Sequence, residues 1–183
     1  MKLVSATKLR RAQNAILQMR PYSQKLNGIL SNLSDSIDDD SLKVYFDQRE
    51  VKRVLLVVVT SDRGLCGSFN ANVLKLANRL VKEDFAGKEV TIMPIGKKAF
   101  EFFAKLNLPT NTNYKEIFHH LDAEHAFEIG TYILEQFRKG SFDKVEIVYN
   151  QFKNAATQIL TNEPFLPIVK QSGQGKVQEK NDY

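Results

Sequence analysis

The feature that most constrains this chain is a heptad repeat of apolar residues across positions 1–37. The first row of the repeat has members seven residues apart, interrupted only by the polar Ser23, and consists of Leu9, Ile16, Leu30 and Ile37. The second row, offset by three residues, consists of Ala12, Met19, Leu26 and Leu33. Two apolar rows that alternate in steps of three and four are the a and d positions of a left-handed coiled coil. A helix of about 35 residues is roughly 50 Å long, so this segment is predicted to pair lengthwise with a second helix.

The charged side chains at the start of the chain are all basic. Residues 1–34 carry six Lys or Arg and no Asp or Glu, whereas the rest of the chain has a net charge of −1. The overall charge of +5 therefore belongs to the N-terminal helix and not to the protein as a whole. A basic helix indicates an acidic partner, which could be nucleic acid, a membrane surface or an acidic protein surface.

Beyond a Ser/Asp-rich boundary the period changes to alternating strands and helices. The predicted strands are 51–60, 89–95 and 144–152, with a partner strand returning at 156–160 and 165–168, and the predicted helices are 70–81, 97–106 and 122–139. The segment 111–118 is ambiguous and is interpreted as a short edge strand. This alternation predicts an α/β fold with a small, doubly wound, mostly parallel sheet. The chain is thus divided into a coiled-coil helix (1–37), a linker (38–50), a Rossmann-like domain (51–169) and a disordered tail (170–183).

The spacing of apolar residues also predicts which helix faces point inward. Leu106 is placed on the inward face of the helix 97–106, and Ala126 on that of the helix 122–139. Asp122 is predicted to be the N-cap of the latter helix, and Gly140 is predicted to end it.

The turn at 61–68 lies where open α/β domains bind ligands, beyond the carboxyl end of the first strand. Gly64 and Gly67 could let the backbone approach a phosphate at the start of the next helix. Their spacing is only G-x-x-G, and neither nucleotide-binding glycine motif occurs, so a tight turn that needs glycine is the better interpretation. Cys66 is the only cysteine; with no sequence partner for catalysis, it is interpreted as a buried or half-buried structural thiol.

No group of residues predicts a catalytic centre, a cofactor or a metal site. His119, His120 and His125 cluster near Asp122 and Glu124, but zinc-type ligand spacing is lacking, so the histidines are interpreted as surface residues. The run 38–40 is acidic without the spaced ligands and glycine of a calcium loop.

Two stretches resemble a known family. MKLVSATKLRRAQ (1–13), followed by Arg20-Pro21-Tyr22, resembles the N-terminal helix of the gamma subunit of F-type ATP synthases. TSDRGLCGSFNANV (60–73) resembles the internal motif of that family, which follows the first strand of its central domain. The resemblance covers about residues 1–168 and rests on two separate motifs at the right distance.

The resemblance implies a central-stalk rotor subunit without an active site of its own. In that family the N-terminal helix pairs with a C-terminal helix to form a shaft inside the ring of alpha and beta subunits. The foot binds the epsilon subunit and the membrane-embedded c ring, and rotation couples proton flow to ATP synthesis. The resemblance implies no nucleic acid and no small-molecule substrate, and a peripheral location on the cytoplasmic face of the bacterial inner membrane, or on an organellar inner membrane.

The residue roles that follow are also implied by the resemblance. The basic residues of the shaft, which would contact acidic surfaces of the beta subunit, are Lys8, Arg10 and Arg11. The residues of the internal motif, expected to be structural and interfacial, are Asp62, Arg63, Gly64, Leu65, Cys66 and Gly67. Compared with the family, the chain is expected to be an internal fragment that lacks the tip of one shaft helix and all of the other. Its unpaired seam is then expected to pair with a second copy of the chain, to fold back or to be disordered. The alternatives are a nucleotide-binding domain that uses the 61–68 turn and a nucleic-acid binder that uses the basic helix.

Overall fold

The long N-terminal helix belongs to the first of two units into which the chain divides, and the second unit is Val44–Val169. The computed structural model of the protein describes residues 2–33, 40–119, 122–154 and 156–169. Helix α1 runs over Lys2–Leu33 without interruption and continues through Pro21. The helix expected from the heptad repeat is therefore present. The pairing of its seam with a second helix stays a prediction.

The side chains of α1 that the structure describes, those of residues 5–26, are largely in solvent. Lys8, Arg10 and Arg11 are exposed. In the predicted seam, Ala12 and the larger residues Leu9, Met19 and Leu26 are exposed and Ile16 is half-buried. The side chains of Leu30 and Leu33, and all of Ile37, lie outside the described residues. Among the described helices, none combines the length and the apolar character needed to cross a membrane.

The second unit is built on a four-stranded sheet in the order β2-β1-β3-β4. The strands are β1 (Arg53–Val59), β2 (Glu89–Ile95), β3 (Lys144–Phe152) and β4 (Gln158–Leu166). Strand β1 is central and pairs in parallel with both β2 and β3, whereas β4 adds to β3 in the antiparallel direction. The mostly parallel sheet predicted from the sequence is confirmed.

Helices cover both faces of this sheet. They are α3 (Phe69–Lys82), α4 (Lys97–Phe103) and α5 (Ala123–Arg138), with the short α2 (Asp40–Lys43) lying before the domain. One core packs α3 and α4 against Val54, Leu56 and Val58, and the other packs α5 against Leu55 and Val57. Because residues alternate between the faces of a strand, a strand covered on both sides reads as an unbroken apolar run.

Several local predictions are wrong in detail. The segment 111–118 is not a strand; it forms turns and the short 3₁₀ helix Ile117–His119, and only a single bridge from Thr110 to Ile92 covers the edge of β2. Helix α4 gives way to a 3₁₀ turn after Phe103, which leaves Leu106 exposed. Ala126 is also exposed, because it lies in the first turn of α5, beyond the part of the helix that packs on the sheet. The returning strand is one continuous β4 that passes through Pro164.

Candidate functional site

A cleft of about 750 Å³ opens at the carboxyl ends of the parallel strands. Its lining includes Asp62 and Arg63 after β1, Lys97 after β2, and Tyr149 and Asn150 near the end of β3. Since β1 has β2 on one side and β3 on the other, the connections leave it in opposite directions, and such a switch point is where open α/β sheets form ligand crevices. The cleft is therefore the candidate small-molecule site of the domain.

The start of α4 is already occupied by residues of the 60–62 segment. The Asp62 carboxylate accepts a hydrogen bond from the backbone N–H of Lys97 at 3.0 Å, and the Thr60 hydroxyl accepts one from that of Ala99 at 2.8 Å. The Ser61 carbonyl accepts from the N–H of Lys98 at 3.3 Å. A phosphate at the start of α4 would need these same amides, because the first N–H groups of a helix are what bind an anion. The residues at the carboxyl end of β1 therefore cap α4 themselves, and the amides of α4 are not available to a ligand.

The 61–68 turn is held together by the buried side chain of Asn70. Its Oδ1 accepts from the Ser61 N–H at 3.0 Å, and its Nδ2 donates to the Ser61 hydroxyl at 2.9 Å and the Arg63 carbonyl at 3.2 Å. The same Nδ2 lies 3.2 Å from the Cys66 sulfur. One amide thus fixes both limbs of the turn, and the turn keeps its shape without a ligand.

The apex of the turn faces solvent. Leu65 is fully exposed and has a φ of +59°, a left-handed conformation that is uncommon outside glycine. Cys66 is exposed as well, so the prediction of a buried or half-buried thiol is wrong. Its sulfur meets the Asn70 amide from the solvent side of the turn, because the side chain that fills the interior is that of Asn70 and not of the cysteine. The apex of the turn thus presents one large apolar side chain, that of Leu65, to solvent.

The structure therefore brings together only part of the residues that the sequence singled out. Asp62 and Arg63 line the cleft, and the exposed apex is formed by the remaining motif residues, which are Gly64, Leu65, Cys66 and Gly67. Lys8, Arg10 and Arg11 belong to α1, in the other unit. The sequence predicted no role for Asn70, because an asparagine in the first turn of a helix is common. The available signal was an amide directly after a glycine-containing turn, where it can satisfy backbone groups.

For His125, the histidine whose side chain the structure describes, the explanation is the capping of α5. Asp122 is the N-cap of α5, as predicted, and its carboxylate accepts from the His125 N–H at 2.9 Å and lies 2.7 Å from the His125 ring nitrogen. These contacts lower the pKa of Asp122, and the hydrogen bond to Asp122 raises the pKa of His125. Among the described residues no three His, Cys, Asp or Glu side chains come together as a metal site. The side chain of His119 and all of His120 lie outside the described residues.

Among the polar side chains that line the cleft, that of Tyr149 has an unusual environment. Its hydroxyl donates to Glu163 at 2.7 Å. Burial, together with this hydrogen bond and the charge of Glu163, raises the pKa of Tyr149 to about 12. The phenol therefore stays protonated at neutral pH and does not act as a base there.

Replacing Asn70 with Ala is expected to destabilise the domain by about 2 kcal/mol, because the backbone of Ser61 and Arg63 loses its buried partner. Denaturant unfolding followed by circular dichroism measures the loss, and limited proteolysis should show new cleavage within 61–68.

Asn72→Ala is the matched control, since Asn72 lies in the same helix turn with its side chain exposed. Equal effects of the two substitutions would contradict the role given to Asn70.

The fold and its site define a class of protein: a small α/β domain with a self-capped strand edge, preceded in the chain by a long basic helix. A sequence profile described as ATP synthase matches residues 1–183. The chain belongs to the ATP synthase gamma chain family, which confirms the resemblance carried by the two motifs.

Relatives and a solved structure support this assignment. The chain is 46% identical over 176 residues to the ATP synthase gamma chain of Cytophaga hutchinsonii, covering 94% of this chain and 60% of that protein. It is 48% identical over 169 residues to that of Flavobacterium johnsoniae, covering 92% and 58% respectively. The chain thus spans about 60% of the length of these relatives. It shares its fold with a chain of the central stalk and c ring of the Tetrahymena thermophila mitochondrial ATP synthase, with a TM-score of 0.64 and 21% identity, covering 91% of this chain and 70% of that one.

Proposed function

We propose that this chain is part of a central-stalk rotor subunit that couples proton flow through a membrane sector to ATP synthesis. The observation that carries the proposal is α1, a single 32-residue helix with a heptad seam and no acidic side chain, in a member of the gamma chain family. A helix of this length extends well beyond what a domain of this size needs for its own core. In this proposal catalysis belongs to the surrounding alpha and beta subunits, and the chain has no catalytic site.

The basic side chains near the start of α1 are the proposed contact with the ring. Lys8, Arg10 and Arg11 are exposed within one turn of each other, and the helix contains no acidic residue to neutralise them. Such a basic segment is attracted to acidic surfaces of the beta subunit.

The seam of α1 is the proposed contact with the second shaft helix. The exposed Leu9, Met19 and Leu26 need an apolar partner, which in this family is a C-terminal helix of the gamma chain. As long as no helix is paired with it, the exposed stripe favours self-association.

The α/β domain is the proposed foot of the rotor. The exposed apex of the 62–67 turn, led by Leu65, supplies an apolar contact held rigid by Asn70. The epsilon subunit and the c ring are the proposed partners of the foot. The location that follows is peripheral, at the cytoplasmic face of a bacterial inner membrane or at an organellar inner membrane.

Co-expression of the chain with alpha and beta subunits tests the proposal. The chain is expected to copurify with the ring, and Lys8→Glu, Arg10→Glu and Arg11→Glu together should reduce the recovered amount at least about tenfold, because three attractive contacts become repulsive. The isolated chain should not hydrolyse ATP.

The matched control reverses two exposed basic residues of the α/β domain, Lys75→Glu and Arg79→Glu. Loss of copurification with this control but not with the α1 variant would contradict the shaft assignment, as would ATP hydrolysis by the isolated chain.

A further inference from the structure

Helix α5 has an exposed aromatic side chain on a face that the sheet does not use. Ile129, Ile133 and Phe137 are buried against the sheet, whereas Phe127 is 72% exposed, the highest value for an aromatic ring in the described part of the chain. A ring of this size in water loses the favourable free energy of burial that it would gain against a partner. Phe127 thus has no role in the core of its own domain.

Small residues flank this ring on the same face of α5. Ala123, Phe127 and Gly130 follow one another in steps of four and three, which is the spacing of a coiled-coil seam, whereas the next position, Leu134, packs against the core of the domain. Glycine weakens a helix interior relative to alanine, yet a Cβ at Gly130 would meet nothing within 4 Å. Packing within the chain therefore does not explain Gly130. A second backbone that approaches the helix closely beside Phe127 would explain it.

The solvent side of this seam is acidic. Glu124, Glu128 and Glu135 are exposed and recur at the same four- and seven-residue spacing one position further on. Glu135 pairs with Lys139 at 3.6 Å, while Glu124 and Glu128 form no salt bridge with another described residue. An acidic border repels nucleic acid and anionic lipid and favours a basic partner.

We propose that this face of α5, defined by Ala123, Phe127 and Gly130 with the border of Glu124 and Glu128, binds a basic amphipathic helix of a partner protein. The ring of Phe127 packs into the apolar stripe of that helix, and Gly130 allows the two backbones to approach. Lysine or arginine side chains beside the stripe pair with Glu124 and Glu128. A helix is favoured over an extended strand because the face is itself a helix with knob and hole positions in heptad spacing. The surface goes beyond the rotor function, whose predicted contacts lie on α1 and the 62–67 turn.

Two synthetic 18-residue helical peptides serve as probes. Both carry the same leucine stripe, bordered by lysine in one and by glutamate in the other. Fluorescence anisotropy with the full chain is expected to show binding of the lysine peptide, at least about tenfold tighter than that of the glutamate peptide. Phe127→Ser should weaken binding of the lysine peptide about tenfold or more, as expected for a central aromatic anchor. Glu124→Lys with Glu128→Lys should invert the preference between the peptides.

Gly130→Leu separates binding from folding. Leucine is a better helix former than glycine, so thermal unfolding should occur at a higher temperature while peptide binding falls. Matched controls are Phe165→Ser, another exposed aromatic on β4, and Glu83→Lys with Glu89→Lys, exposed acids elsewhere on the domain. Circular dichroism checks that each variant is folded.

Three outcomes would overturn the proposal. Equal affinity for both peptides would show that Glu124 and Glu128 do not select a basic helix. Equal effects of Phe127→Ser and Phe165→Ser would show that the peptide does not bind at Phe127. A dimer in analytical ultracentrifugation that dissociates with Phe127→Ser would assign the face to a second copy of this chain.

Discussion

Gly96→Ala is expected to prevent stable folding of the α/β domain. A Cβ at this position would lie 2.2 Å from the carbonyl oxygen of Thr60 and 2.9 Å from its carbon, far inside van der Waals contact. The backbone there cannot give way, because the N–H of Thr60 donates to Ile95 at 2.8 Å and Thr60 also caps α4. With a φ of +99° the position is also strained for any L side chain. Loss of more than about 4 kcal/mol is expected, measured by urea unfolding or by failure to recover folded protein.

Gly87→Ala provides the control for backbone conformation alone. Gly87 has a φ of +77°, but a Cβ there would meet nothing within 4 Å. Only the left-handed penalty of about 1 kcal/mol should then be observed. Similar losses for both variants would contradict the close approach of β1 and β2 at Gly96.

The layers of the fold could be predicted because their signals are local. The unbroken apolar run of β1 reports burial on both faces, and the spacing of Ile129, Ile133 and Phe137 reports the inward face of α5. The N-cap Asp122 marks the start of that helix in the sequence itself. Each of these signals lies within one element, so no knowledge of the neighbouring elements was needed.

Features that depend on two distant elements were not predictable. The use of Asp62 and Thr60 to cap α4 depends on β1 and β2 ending in register, which places residues about 35 to 39 positions apart side by side. Leu106 was assigned inward on helical spacing alone, but α4 changes to a 3₁₀ turn before reaching it. Tertiary contacts decided both cases.

The candidate site follows the same division. The position of the 61–68 turn at the end of β1 was correct, because a glycine-containing segment after a buried strand ends at the sheet edge. The interior of the turn was not predicted correctly, because Asn70 fills it and Cys66 stays at the surface. The residues that form the apex were assigned from the family motif, whereas Asn70, which lies in the same stretch 60–73, was assigned no role.

Asp143→Ala is expected to destabilise the domain by about 3 kcal/mol or more. The buried carboxylate of Asp143 accepts from the backbone N–H of Arg53 at 2.8 Å and that of Lys52 at 3.1 Å, at the start of β1. It also pairs with the Arg53 guanidinium at 3.0 Å. Truncation leaves these two partly buried amides without their carboxylate acceptor. Denaturant unfolding measures the change, and Asp84→Ala, an exposed acid, is the control.

The Asp143→Asn variant tests the charge through its pH dependence. Burial by itself would raise the pKa of Asp143, but the hydrogen bonds from Arg53 and Lys52 outweigh it and hold the pKa below its ordinary value. A pKa that is lower in the folded state means that ionised Asp143 stabilises the fold above about pH 3.9, the ordinary value for aspartate. This contribution is lost as the pH falls through the lower folded value. The difference in unfolding free energy between the wild type and Asp143→Asn should therefore be largest near neutral pH and shrink below about pH 4. A difference that stays constant down to pH 2 would mean that the amide geometry, and not the charge, holds the start of β1.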